Sequence, residues 1–212
     1  MPGEPAGMGR VRALLVSRLQ AQLPAELAGL ELELGRPTPA PEDDDPDFWA
    51  PDQWWTGDPD SRGLIAATDR TRLEPEDYPA VLVVPRSTLE AQVVDLSLGR
   101  VERIVPYVVR TFVFVRHWGD EEVAAARDRL ALAVEQAYLR QLRLSPAAAF
   151  RAGDGWASSY SEVGVNPEDQ RSYAGWYLDT IVDQAEQLAD VMLAPGDPGD
   201  ELDPTVVVHP AL

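Results

Sequence analysis

The sequence predicts an α+β fold: one mostly antiparallel sheet flanked by an N-terminal helix and one long helix, decorated by a long acidic insertion and an acidic C-terminal extension. Three observations lead there. "PYVVRTFVFVRHW" is apolar on both faces, as a strand in the middle of a sheet is. "GDEEVAAARDRLALAVEQAYLRQL", residues 119–142, has the period of a helix. Strand-like runs come in series before that helix and as a hairpin after it.

Taken in order, residues 9–23 place Val11, Leu14, Leu15 and Leu19 on one helical face, and Pro24 is expected to stop the helix. "LELEL", Leu30 to Leu34, then alternates as a half-buried strand. "GLIAATDRT" is expected to return beside it, making a hairpin whose long tip is residues 36–63. "YPAVLVVP", Tyr78 to Pro85, is the next strand, and "EAQVVDLSLG" is a weaker one. In the central strand Tyr107, Val109, Val113 and Val115 face one way and Val108, Phe112 and Phe114 the other, with Arg110 and Thr111 interrupting.

The long helix is expected to start at Asp120 as N-cap, with Glu121 and Glu122 in the first turn, where the helix dipole favours anions. Its apolar stripe is Val123, Leu130, Val134, Ala137 and Tyr138, with Arg140 and Arg143 at the far end. Pro146 and the small residues after it read as a connection. "WASSYSEV" and "RSYAGWYLDTIVD", joined by "GVNPEDQ", read as a closing hairpin, and "QAEQLADVMLA" as a short helix. The expected organisation is one domain, 1–184, with 36–63 as inserted loop, and a C-terminal extension over 185–212.

The 212-residue chain is 45% hydrophobic, which suits a sizeable core, and it contains no cysteine, so neither disulfides nor a thiolate metal site enter. No apolar run approaches the roughly 20 residues of a membrane span. Arg12, Arg18 and Gln20 interrupt the first apolar stretch, which does not read as a signal peptide. The expectation is a soluble protein made in a cytoplasm. The charge is −18, against a nucleic-acid groove built on phosphate contacts. Eight acids lie in residues 39–60 and eight in 179–203, both without a base, so the acidity reads as appended to a nearly neutral body.

Little in the chain reads as catalytic. The two histidines, His117 and His209, have no nucleophile-elbow serine to serve, and His117 reads as a strand-end packing residue. There is no lysine and no Gly-rich phosphate loop of either common type. A glycosidase pair of carboxylates would have to be held by the Pro-rich "PEDDDPDFWAPDQWWTGDPD", which offers little to fix their geometry. "DPDSRGLIAATD" matches a calcium loop at Asp58, Asp60, Gly63, Ile65 and Asp69, but Arg62 stands where a ligand belongs, so the match reads as chance. No catalytic residue, cofactor or metal site is therefore expected. Trp49, Trp54 and Trp55 either pin their loop to the domain itself or dock on another subunit. They also leave open a small carbohydrate- or peptide-binding module.

From the central strand onward the chain resembles the tail terminator (tail completion) and head-tail connector proteins of long-tailed bacteriophages. The residues that resemble them are the "VRALLVSRLQ" helix, "YPAVLVV", "YVVRTFVFVRHWGDEEVAAARDRLALAVEQAYL", and the hairpin "WASSYSEVGVNPEDQRSYAGWYLDTIVD" with its "AG" step. The likeness covers roughly residues 9–35 and 64–184. It implies a non-enzymatic virion protein of the tail or neck, forming a homo-oligomeric ring, typically a hexamer. The ring would stack on the tail tube protein, meet a head-tail connector or neck protein, and let DNA pass without specific binding. On this reading Trp49, Trp54, Trp55, Arg110 and Arg116 are candidates for subunit contacts. Asp43, Asp44, Asp45 and Asp47 belong to an acidic loop or to the lumen, where carboxylates repel phosphates.

Overall fold

The computed structural model describes residues 7–34, 63–67, 73, 77–95, 101–117, 119–153, 155–161, 163–166 and 171–187. The elements among them are α1 (Met8–Leu34), β1 (Leu64–Ala67), β2 (Ala80–Thr88), β3 (Gln92–Asp95), β4 (Val101–His117), α2 (Asp120–Leu139), β5 (Arg143–Ser145), β6 (Ala148–Phe150), β7 (Trp156–Tyr160), β8 (Gly164–Asn166) and β9 (Arg171–Gln187). The expected α+β class holds, with two helices and one large, mostly antiparallel sheet.

Two strands of 17 residues form its axis. β4 and β9 run antiparallel in continuous register from Glu102↔Gln187 to His117↔Ser172. The outer side of β4 is taken by β3 near its start and by β2 further along, with β1 beyond β2. The outer side of β9 is taken in turn by β8, β7 and β6, and β5 lies beyond β6. Central placement of the Val- and Phe-rich strand is thus observed. So is the closing hairpin, since β7 and β8 both pair antiparallel with β9.

Both helices pack on the same face. Val11, Leu15, Leu19, Leu23, Leu27 and Leu30 of α1 are buried in one cluster with Val123, Leu130, Val134, Ala137 and Tyr138 of α2. The sheet supplies Val81, Val83, Tyr107, Val109, Val113 and Val115, with Trp176, Leu178 and Val182 from β9. The stripe predicted for the long helix is therefore buried throughout. Its cap differs from expectation: Gly119 is the N-cap residue, and the Asp120 carboxylate instead accepts a 2.5 Å hydrogen bond from the Ser172 hydroxyl.

Three expectations fail, each for a physical reason. First, α1 does not stop at Pro24 but runs through it to Leu34, so "LELEL" is helix and not strand. Buried residues recur every four positions from Val11 to Leu27, on both sides of the proline. Interior proline costs a helix about 3 kcal/mol, while each fully buried leucine contributes about 1.5–3 kcal/mol. Leu23, Leu27 and Leu30 together outweigh the break. Second, with residues 30–34 helical, there is no hairpin with β1. β1 pairs parallel with β2, Leu64↔Ala80 to Ala67↔Val83, and residues 36–63 connect a helix to a strand. Third, the connection at Pro146 is the turn of a small hairpin, β5–β6, whose Ala148 and Phe150 join the core. Short and alanine-rich, it has too little alternation to read as strand.

The described part of the C-terminal stretch also differs. β9 continues past the predicted strand end to Gln187, so Glu186 joins Asp179 and Asp183 in the sheet and does not belong to an appended acidic tail. The short helix expected over 184–194 begins inside β9 and otherwise lies outside the described residues.

If burial holds α1 together across its proline, Leu23→Ala should lower unfolding stability in urea by about 2–5 kcal/mol. A loss of less than about 0.5 kcal/mol, the size of an ordinary surface change, would mean that this part of the stripe does not pack.

Candidate functional site

Residues paired across antiparallel strands project to the same face, so the register defines a second sheet surface, opposite the helices. β4 presents Val108, Arg110, Phe112, Phe114 and Arg116 there; β9 presents Tyr173, Gly175, Tyr177, Asp179, Ile181 and Asp183. Among the described elements both helices lie on the other face. All the named side chains of β4 are half-buried.

At the centre of this surface is a charge pair. Arg110 donates from Nε to Asp179 Oδ1 at 2.7 Å and from Nη2 to Oδ2 at 2.6 Å, a two-pronged geometry that only a guanidinium provides. The same guanidinium lies 3.7 Å from the Tyr177 ring centroid and 5.6 Å from that of Phe112. Phe112 stacks on Phe114 at 5.5 Å and meets Tyr177 edge-on at 6.0 Å. Hydrogen bonding to Asp179 raises the Arg110 pKa further, with burial opposing it, so the group is a fixed cation. Four residues further along β9, Asp183 makes a second two-pronged pair with Arg151, at 3.0 and 2.5 Å.

Gly175 leaves room for this arrangement. A Cβ there would stand 3.1 Å from Ser161 Oγ and 3.3 Å from Phe114 Cδ1, closer than side chains usually approach. Without one, the Gly175 amide donates to Ser161 Oγ at 2.7 Å and the Phe114 ring packs beside it. The "AG" step noted in the sequence thus sits where the aromatic surface packs tightly.

The face toward the helices has its own polar fastenings. Tyr107 donates to Glu186 at 2.5 Å, and burial, followed by that carboxylate, pushes its pKa up to about 12. Gly7, just before α1, has a φ of 57° that favours glycine and sits against the Tyr107 hydroxyl, from which a Cβ would lie 2.9 Å. Thr111, at the interruption of the central strand, shares a 2.9 Å hydrogen bond with the buried Tyr138 hydroxyl. A groove of about 360 Å³ between the helices is lined by the buried Glu26, paired with Arg140, and by Glu33 and Gln136.

Arg110 and Arg116 are brought onto one surface, Arg116 lying 6.0 Å from the Tyr173 ring. Trp49, Trp54 and Trp55, and Asp43, Asp44, Asp45 and Asp47, lie outside the described residues, as do Asp58, Asp60 and Asp69 of the calcium-like stretch. Ile65 of that stretch is a buried residue of β1. Among the described residues no cluster of acids and histidines could hold a metal ion, and no helix is long and apolar enough to cross a membrane. Sequence reading missed Asp179 and Tyr177 as partners of Arg110. The signal was partial: Arg110 and Asp179 each interrupt an apolar stretch of their strand, but only the register sets them opposite each other.

Truncating one member of the central pair should cost more than replacing both. Asp179→Ala should lose about 1.5–3 kcal/mol in urea unfolding, and Arg110→Met with Asp179→Leu should recover much of it. Additive losses would show that the pair is not coupled. The Tyr107 phenol binds its proton more tightly when folded, so its contribution is intact below pH 10 and disappears as pH rises from about 10 to 12. Tyr107→Phe should flatten that part of the stability–pH profile; an unchanged slope would remove Tyr107 as its source. The chain matches no protein-family model and no curated protein.

Proposed function

We propose that the chain is a structural virion protein, a tail terminator subunit that forms a ring capping the tail tube of a long-tailed bacteriophage and joining it to the head or neck. The observation that supports this reading most is the second face of the sheet. Aromatic rings surround a guanidinium whose charge is cancelled in place by Asp179. Such a surface binds by shape: it is rich in aromatic rings, and its charges Asp179 and Asp183 are already paired with arginines. Aromatic residues and arginine are the side chains most concentrated in protein–protein contacts.

The order of elements also agrees with the resemblance drawn from the sequence: a first helix, an arginine-bearing central strand, a long helix, and a late hairpin with its Ala174-Gly175 step. In this role the protein transforms no molecule. The helical layer braces the sheet, and the sheet presents the surfaces that copies, the tail tube protein and a neck protein dock against. DNA passes through the ring, and the excess of carboxylates disfavours its retention.

Deleting the gene from the phage that encodes the chain tests the assignment by electron microscopy of the particles. The expected result is full heads without joined tails and tails of irregular length, restored by supplying the protein from a plasmid. Tails of normal length joined to full heads would refute it.

A further inference from the structure

β3 and β8 occupy diagonal corners of the sheet. β3 pairs with the first residues of β4, Gln92↔Ile104 to Asp95↔Val101, and β8 with the first residues of β9, Gly164↔Tyr173 to Asn166↔Arg171. Because β4 and β9 are antiparallel, these starting ends lie at opposite ends of the sheet, about 45 Å apart along the strands at 3.4 Å per residue. Among the described residues β3 pairs only with β4 and β8 only with β9, which leaves each an outer edge of backbone donors and acceptors.

Each edge also exposes an uncovered valine: Val93 is 67% exposed and Val165 58%. Two other margins are better occupied: the Arg143 carbonyl of β5 accepts from Arg18 at 2.9 Å, and Ile65 of β1 is buried. Tyr160 of β7, itself 58% exposed, lies under the Arg127 guanidinium at 4.8 Å.

The strand directions make these two corners complementary. β3 is antiparallel to β4 and therefore runs with β9; β8 is antiparallel to β9 and therefore runs with β4. A second copy displaced along the diagonal, without being turned over, brings its β8 beside β3 in antiparallel orientation, the better hydrogen-bonded of the two pairings. The exposed Gln92, Val93 and Val165 are uncharged, and Asp95 is the single acid in either strand.

We propose that β3 of one copy and β8 of the next form an antiparallel ladder that packs Val93 against Val165, and that this ladder is the seam of self-assembly. The contact joins two different surfaces, so it is heterologous: it closes into a ring when the rotation per copy permits and otherwise continues as a helix. The inference deepens the ring reading and rests on it.

The absence of cysteine makes the test direct, since any thiol introduced is the only one. Val93→Cys and Val165→Cys chains are prepared separately, mixed in equal amounts and treated with a short bismaleimide. The mixture should give a covalent dimer at least ten-fold more abundant than either variant alone, and a chain bearing both substitutions should give a ladder of linked copies. Light scattering of the untreated wild-type chain should show an oligomer, and the variants' melting temperatures should stay near the wild-type value because both side chains are exposed.

Absence of the mixed dimer overturns the seam, as does Val93→Cys linking equally well to itself, or a wild-type chain that stays monomeric at every concentration. Linking to an added tail tube protein, but not to a second copy, overturns it too. If the wild type forms rings yet the mixture does not link, the seam fails and the ring reading stands. If the mixture links yet the deletion phage makes normal particles, the seam stands and the terminator reading fails.

Discussion

The structure depends on one pairing, that of β4 with β9. Sixteen residue pairs in continuous register hold two long strands together, and every other strand attaches directly or indirectly to one of them. The pairing also sorts the side chains. Alternation places Val109, Val113, Trp176 and Leu178 toward the helices and Arg110, Phe112, Tyr177 and Asp179 away from them. A slip of one residue would exchange the two sets, burying the guanidinium among leucines and turning Trp176 outward. The Arg110–Asp179 bonds oppose that slip, because they form only when the two residues face each other.

Where a segment's period was long and unbroken, the sequence could be read directly. The stripe Val123, Leu130, Val134, Ala137 and Tyr138 spans several helical turns, and Tyr107 to Val115 is a run of β-branched and aromatic residues, apolar on both faces, that favours a central strand. Five-residue "LELEL" is different. Leu30 and Leu34 are four apart and fit a helix as well as a strand, and Leu30 is buried as the continuation of a stripe that starts at Val11. Only the wider window distinguishes the two, and Pro24 interrupts that window. A local rule about proline was overridden by burial on both sides of it.

The acids show a second limit of reading in one dimension. Asp179, Asp183 and Glu186 look like the start of an acidic tail when counted along the chain. In space each has a partner from elsewhere: Arg110, Arg151 and Tyr107. Composition registers charge, whereas pairing depends on strand register, and register was not available from composition. The candidate surface was therefore half legible: Arg110 and Arg116 stood out, while the residues that fix Arg110 did not.

β9 has a further consequence, for the order in which the molecule can be built during synthesis. It is the last described strand to leave the ribosome, yet it is the direct neighbour of β4, β6, β7 and β8 and supplies Trp176, Leu178 and Val182 to the interior. Until it emerges, α2 has only half a sheet beneath it, and the unpaired side of β4 is a long adhesive edge. Contacts between segments some seventy residues apart close slowly. A nascent chain of this design spends most of its translation time in need of shelter, and a message truncated before β9 would encode material for proteolysis and not a smaller version of the fold.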